Sequence, residues 1–378
     1  MPHDPYKALY LHLPFCVKRC AYCDFATAAV PAGAPEIEAY VEDLSLQIRR
    51  KAKEGELGAV ETVYLGGGTP SHVGLAGLSM LLYTLSLSMH LTDEVECTME
   101  ANPESLTERM VRDIWALGVN RLSIGVQSFD DDVLRTLGRA HSSDDARRAI
   151  EAARTRFENV SVDLMCGIPG QSAEGFEASV REAVRLGATH VSVYPLTIEP
   201  HTPFDAAVLA GELEEPDDDV EAAHMQIAAR VLDSEGFERY EVASYARPGF
   251  ACRHNIAYWT GVPYLGLGRS AATMTQNAQR RMRVKDGQVT DDLDPRQMAA
   301  ENLMLGMRMT AGVSDEHAAR GDDGAGRLGA AGARRARRRP LAAHRARLAL
   351  RQRAVRRPIR SGRLTRARSL CVSRRVSP

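Results

Sequence analysis

Residues 8–25, ALYLHLPFCVKRCAYCDF, decide the fold. ALYLHLPF at 8–15 is a strand-like apolar run, and Cys16, Cys20 and Cys23 then crowd into eight residues. Thiolates at this density suit an iron–sulfur cluster or zinc. Structural zinc sites usually draw on two separated cysteine pairs, or on cysteine with histidine. Here a spacing of four and then three stands with no second pair downstream. Three thiolates can hold three irons of a [4Fe–4S] cubane and leave the fourth iron open to a small molecule. Zinc and three unliganded cysteines are the other readings.

Outward from this stretch, strand-like and helix-like segments alternate. VETVYL at 60–65, EVECTME at 94–100, RLSIGVQSF at 121–129, VSVDLMCGI at 160–168 and HVSVYPLTI at 190–198 bring the strands to six. Helical stretches are predicted at 36–52, 75–88, 130–156, 172–187 and 218–236, with Ser105 and Glu108 forming a capping-box signal for a further one. Six β–α units with near-continuous apolar strands predict a parallel sheet covered by helices, wound with right-handed crossovers. The fold class is α/β, a partial (β/α)6 barrel with a smaller C-terminal region. In such a barrel the site lies at the carboxyl ends of the strands. The cysteines follow strand one, Gly66-Gly67-Gly68 follow strand two, and Glu100 and Gln127 end strands three and four.

Composition narrows the class. Cys97, Cys166, Cys252 and Cys371 are scattered, and seven cysteines in 378 residues with no signal-peptide pattern argue against a disulfide framework. No apolar run of 18 residues appears, so a membrane-spanning helix is not expected and the cytosol is the default location. The net charge of −1 hides two regions: residues 321–378 hold 18 Arg, no Lys and two Asp, while residues 1–320 hold 30 basic and 47 acidic side chains. Three parts are expected: a core barrel at 1–240, an accessory region at 241–317, and an Arg-rich low-complexity tail at 318–378.

Cys-x3-Cys-x2-Cys after a first strand, with Tyr22 before the last cysteine, resembles the radical S-adenosylmethionine (SAM) superfamily. In that superfamily the open iron chelates SAM, and one electron from the cluster releases a 5′-deoxyadenosyl radical; the cofactors carry the hard chemistry. Gly66-Gly67-Gly68-Thr69-Pro70 alone reads as a tight strand-to-helix turn. Beside the cysteine motif it resembles the segment that binds the methionine amino group. YLHLPFCVKRCAYCDF, MEANPES, RLSIGVQSFDDDVLRTLGRAH and DLMCGIPGQ further resemble oxygen-independent coproporphyrinogen III oxidase-like proteins, over residues 8 to 315. That resemblance implies a SAM-contacting set of Tyr10, Tyr22, Gly67, Gly68, Thr69, Glu100, Gln127, Arg139 and Asp163, and a reductant such as flavodoxin or ferredoxin.

Within that family the true oxidases carry a fourth cysteine two residues after the third. Here Phe25 stands there, which resembles the heme chaperone branch, whose members bind heme and pass it to apo-hemoproteins. Oxidative decarboxylation of coproporphyrinogen III is the alternative, so the chain's standing as an enzyme stays open. The branch's second hallmark is present as His254-Asn255-Ile256-Ala257-Tyr258-Trp259. A neutral imidazole can ligate heme iron, with Tyr258 and Trp259 against the porphyrin; the other reading is a hydrogen-bonded structural histidine beside two core aromatics. Two departures stand out. Arg269 replaces a small or cyclic residue in Gly266-Leu-Gly268-Arg269-Ser270, and the match dissolves near residue 317. The tail reads as a disordered or frame-shifted segment rather than a basic arm for nucleic acid or acidic lipid, since nucleic-acid arms usually mix Lys with Arg and carry aromatics. No nucleic acid and at most peripheral membrane contact are expected.

Overall fold

The structure, a computed structural model, describes residues 3–89 and 94–313. The tail at 318–378, Cys371 included, lies outside the described residues.

Six parallel strands form the centre: β1 (Ala8–Leu13), β2 (Thr62–Gly67), β3 (Glu96–Ala101), β4 (Arg121–Gln127), β5 (Asn159–Cys166) and β6 (His190–Pro195). Then come β7 (Glu238–Arg239), β8 (Ser244–Ala246), β9 (Tyr264–Leu267), β10 (Ala272–Asn277), β11 (Arg280–Lys285) and β12 (Gln288–Leu293). Among the described residues these twelve make one open sheet in the order β12-β11-β10-β9-β1-β2-β3-β4-β5-β6-β8-β7. Strands β1 to β6 are parallel, and β9 joins them as a seventh parallel strand beside β1. The region after residue 240 therefore extends the same sheet.

The helices of the repeating units are α1 (Pro35–Lys53), α2 (Gly74–Ser88), α3 (Glu108–Ala116), α4 (Asp131–Thr136), α5 (Ser143–Arg154), α6 (Ala173–Arg185), α7 (Pro203–Leu209) and α8 (Asp218–Ser234). Ile37, Leu44, Leu81, Ile114, Ile150, Val180 and Val231 pack from them against Leu9, Leu11, Val63, Leu65, Leu122, Val162 and Val191 of the strands, in one apolar core.

The opposite sheet face is polar, because side chains alternate along each strand. Thr62 and Tyr64, Glu96, Thr98 and Glu100, Arg121 and Ser123, Ser161 and Asp163, and His190 and Ser192 point to it. Register aligns Tyr10, Tyr64, Thr98, Arg121 and Asn159 in one row, and Glu100, Ser123, Ser161 and His190 in the next. Thr98, Arg121, Ser161, His190 and Ser192 are buried although that apolar helix layer lies on the other face. The sheet must curl around them, which gives the partial barrel its polar interior. α9 (Arg253–Trp259) closes the interior at the amino ends of the strands, and α10 (Pro295–Gly306) follows the last hairpin.

Three expectations change. The strands alternate instead of running apolar throughout. The helix expected over 130–156 is two helices, α4 and α5, broken at Gly138, whose φ of +69° lies in the left-handed region that ends helices. Thr107, not Ser105, caps α3 by accepting from Met110 N at 3.2 Å; Ser105 instead shares a 2.6 Å hydroxyl contact with Ser71.

Candidate metal and cofactor site

The cysteine segment folds over the carboxyl ends of β1 and β2. Phe15–Cys16 pairs with Ala28–Ala29 in a small parallel ladder, which returns the chain beneath the loop that carries Cys20 and Cys23. Ala21 N donates to Leu137 O at 3.0 Å and Phe204 N donates to Ala21 O at 3.0 Å, so the loop is pinned to the end of α4 and the start of α7. Tyr22 packs against the apolar cluster of Val133, Leu137, Met165, Ile168, Leu196 and Phe204. All three cysteines are free and half-buried.

The glycine triplet makes this placement sterically feasible. A Cβ at Gly68 would sit 2.7 Å from Phe15 O and 2.8 Å from Leu13 O. Gly67 has a φ of +110°, and a Cβ there would meet the His12 ring at 2.5 Å. With those positions bare, Gly68 N donates to Leu13 O at 2.9 Å and Thr69 N to Phe15 O at 2.8 Å, fastening the turn to the cysteine strand. Thr69 Oγ1 then donates to Cys16 Sγ at 3.5 Å.

Arg139 arrives from the break between α4 and α5. Its Nη1 donates to Cys20 Sγ at 3.4 Å, and its Nη2 donates to Gly125 O at 2.7 Å and to Asn102 Oδ1 at 2.8 Å. Its Nε is buried without a partner. Gln127 ends β4 with a φ of +66° after a register shift, a strained conformation for a residue with a Cβ. Its amide lies near Gly125, where a Cβ would stand 3.0 Å from Gln127 Nε2 and 2.8 Å from Asn102 Oδ1. Glu100 accepts from Tyr64 Oη at 2.9 Å and from Gly67 N at 3.0 Å. Burial outweighs those two bonds and pushes its carboxyl up to about 7. Asp163 accepts from Ser123 at 3.0 Å and Ser161 at 3.4 Å, and burial raises it too. Tyr10 lies deeper in the interior, its hydroxyl 3.0 Å from His12 Nδ1, while His12 Nε2 reaches Ala26 O at 3.2 Å behind the cysteines.

The structure thus gathers Cys16, Cys20, Thr69 and Arg139 into one bonded group, with Cys23 on the same loop, and ties Gly67 to Glu100. His254 is not brought there. It sits on α9 at the amino ends of the strands, fully buried. Its Nδ1 lies 2.8 Å from Thr62 Oγ1, its Nε2 lies 3.2 Å from Tyr258 Oη, and its backbone N donates to Glu96 Oε1 at 3.0 Å. Burial, with Arg121 nearby, lowers its imidazole to about 3. Both ring nitrogens are hydrogen-bonded in this geometry, and iron ligation here would require one of the two ring contacts to open. Trp259 lies beneath the Arg308 guanidinium, 4.9 Å from its ring centroid. Arg269 is exposed, over the ring of Tyr40 at 5.9 Å, so the departure at this position lies on the surface.

The cysteine group fits a cluster. Burial raises the Cys16 thiol and pushes Cys23 up to about 11, so cluster formation must displace their protons. Arg139 and Thr69 supply donors that favour thiolate sulfur. Among the described residues no three His, Cys, Asp or Glu side chains are placed to hold one metal ion. A cubane gives each thiolate its own iron, so it does not require such convergence. Asn102, which bridges Thr69 and Arg139, was not among the residues expected from sequence. Its signal was available: an asparagine before Pro103 just past strand three, at the end where sites form.

Residues 10–183 match the model of the radical SAM superfamily. The chain is 34% identical over 327 residues to the heme chaperone HemW of Synechocystis sp., covering 81% of this chain and 79% of that protein. It is 34% identical to HemW of Bacillus subtilis, covering 82% and 85%, and 40% identical over 273 residues to HemW of Mycobacterium tuberculosis, covering 72% and 70%. In structure it is similar to the coproporphyrinogen III oxidase HemN of Escherichia coli, a radical SAM enzyme, with a TM-score of 0.66 at 20% identity over 80% of this chain and 76% of that one; this likeness shows the fold. The cysteine loop, the glycine turn, the polar partial barrel and these similarities together place the chain in the radical SAM superfamily, as a member of the HemW family.

Proposed function

We propose that the chain is a heme chaperone of the cytoplasm, which binds heme and delivers it to apo-hemoproteins. The observation that carries this reading is the likeness to HemW proteins over about four-fifths of both chains. Phe25 supports it, standing where an oxidase would place a fourth cysteine. Cys16, Cys20 and Cys23 would hold a [4Fe–4S] cluster, which when bound supplies one-electron chemistry and an open iron. Tyr10, Tyr22, Gly67, Gly68, Thr69, Glu100, Gln127, Arg139 and Asp163 are the proposed SAM contacts. The unpartnered Arg139 Nε offers a donor for a carboxylate there. A reductant such as flavodoxin or ferredoxin completes the set of partners. Nucleic acid has no place in this reading, and no helix among the described residues is long and apolar enough to cross a membrane.

Anaerobic reconstitution with iron and sulfide analysis, followed by a heme titration on the same sample, tests the proposal. The expected result is about one cluster and stoichiometric heme per chain, with transfer to an apo-hemoprotein and no SAM-dependent loss of carboxylates from coproporphyrinogen III. Robust turnover of that porphyrinogen, or failure to bind heme, overturns it.

A further inference from the structure

An unbroken run of hydrogen bonds links two of the three cysteines. Arg139 Nη1 donates to Cys20 Sγ at 3.4 Å and Nη2 to Asn102 Oδ1 at 2.8 Å; Asn102 Nδ2 donates to Thr69 Oγ1 at 2.9 Å, and Thr69 Oγ1 donates to Cys16 Sγ at 3.5 Å. Chemistry dictates the direction. A guanidinium only donates, so Asn102 must turn its oxygen to Arg139. The amide nitrogen then faces Thr69, whose oxygen must accept. The single hydroxyl proton of Thr69 is left for the sulfur of Cys16. Asn102 is itself held, its N donating to Ser71 Oγ at 3.2 Å and its O accepting from Ser105 N at 3.1 Å.

We propose that Asn102 is a positioning residue that sets the direction of this run and thereby raises the reduction potential of the cluster. The inference rests on the reading that Cys16, Cys20 and Cys23 carry that cluster. Hydrogen bonds and positive charge at cluster sulfurs favour the reduced, more negative state. Asn102 anchors both sources, one on each side of its amide. Asn102→Asp tests direction at nearly constant shape: a carboxylate accepts from Arg139 and from Thr69 alike, so the hydroxyl proton leaves Cys16. Asn102→Leu removes both anchors.

The test uses the full chain, anaerobically reconstituted, with iron and sulfide counted and the midpoint potential read by redox titration followed by electron paramagnetic resonance, without SAM. Both variants should load a full cluster. Each should lower its reduction equilibrium constant tenfold or more, about 59 mV for one electron. Thr69→Val should give a smaller shift, and combining it with either Asn102 variant should shift less than the sum, because the two residues act in series. An unchanged potential at full cluster content, or strictly additive shifts, overturns the inference. Should Asn102→Leu fail to load, the Asn102→Asp and Thr69→Val pair decides by the same additivity. A wild-type chain without iron and sulfide overturns the cluster reading and this inference with it, whereas an unchanged potential overturns only the inference.

Discussion

The two ends of the barrel interior are built from similar side chains and do opposite things. At the carboxyl ends, loops carry three half-buried thiols, and donors from Thr69 and Arg139 reach two of them. At the amino ends, Glu96 turns both carboxylate oxygens to α9, accepting from Arg253 N at 2.9 Å and His254 N at 3.0 Å, and the helix seals the interior. The difference lies in which groups are left for a ligand. The amino end meets the first N–H groups of α9 with Glu96, although Arg121 Nε, Asn159 Oδ1 and Asn255 Oδ1 are buried there without a partner. The carboxyl end leaves half-buried thiols and the Arg139 Nε for something that binds.

The largest effect should come from breaking the open end. Replacing Cys16, Cys20 and Cys23 together with alanine should abolish iron and sulfide binding, while the urea midpoint stays within the small range of substitutions outside a core. An equal loss of stability would show that both ends are structural.

Breaking the closed end should do the reverse. Glu96→Ala leaves two N–H groups of α9 unpaired and removes a compensating charge beside buried Arg121, at a cost of about 3–5 kcal/mol. Equilibrium unfolding in urea measures this, and the folded fraction should still take up iron.

Acidity should separate the ends further. His254 is lowered to about 3, so between pH 6.5 and 3 the unfolded chain binds a proton that the folded chain excludes; stability should fall as pH drops through that window. Glu100 is raised to about 7, so above pH 4.5 the folded state resists ionisation, and stability of the apo chain should fall as pH rises from there through 7. His254→Gln should flatten the acid limb and Glu100→Gln the neutral one, as read from unfolding free energy against pH. The smallest effect is expected for Tyr258→Phe, which removes the hydroxyl at His254 Nε2 for about 1 kcal/mol without altering iron content.

Much of this contrast was legible in the sequence. Six β–α units were visible because each strand run is bounded by turn residues, and the cysteines, glycines, Glu100 and Gln127 fell at the strand ends that form sites. Arg139 was expected there from resemblance alone; the break at Gly138 that delivers it was hidden inside a helical pattern. The alternation Thr62-Val63-Tyr64-Leu65 marks a polar interior, yet tyrosine and threonine suit strands on either face and blurred it. The region around β9 shows short strand-like pieces, but YLGL is too short and glycine-bearing to mark a seventh parallel strand. His254 shows a different limit. A motif fixes which residues are neighbours along the chain, but which end of a sheet a helix meets depends on pairing far away in sequence.

Pairing between segments far apart in sequence also governs how the protein is made. β1 carries the cysteine loop and leaves the ribosome about 250 residues ahead of its outer partner β9. Until then one flank of the strand that anchors the cysteines is an open edge with unpaired backbone groups. Biogenesis therefore contains an interval in which the thiols exist but their scaffold is incomplete, and a nascent chain stalled before residue 264 would expose reactive sulfur on an adhesive strand.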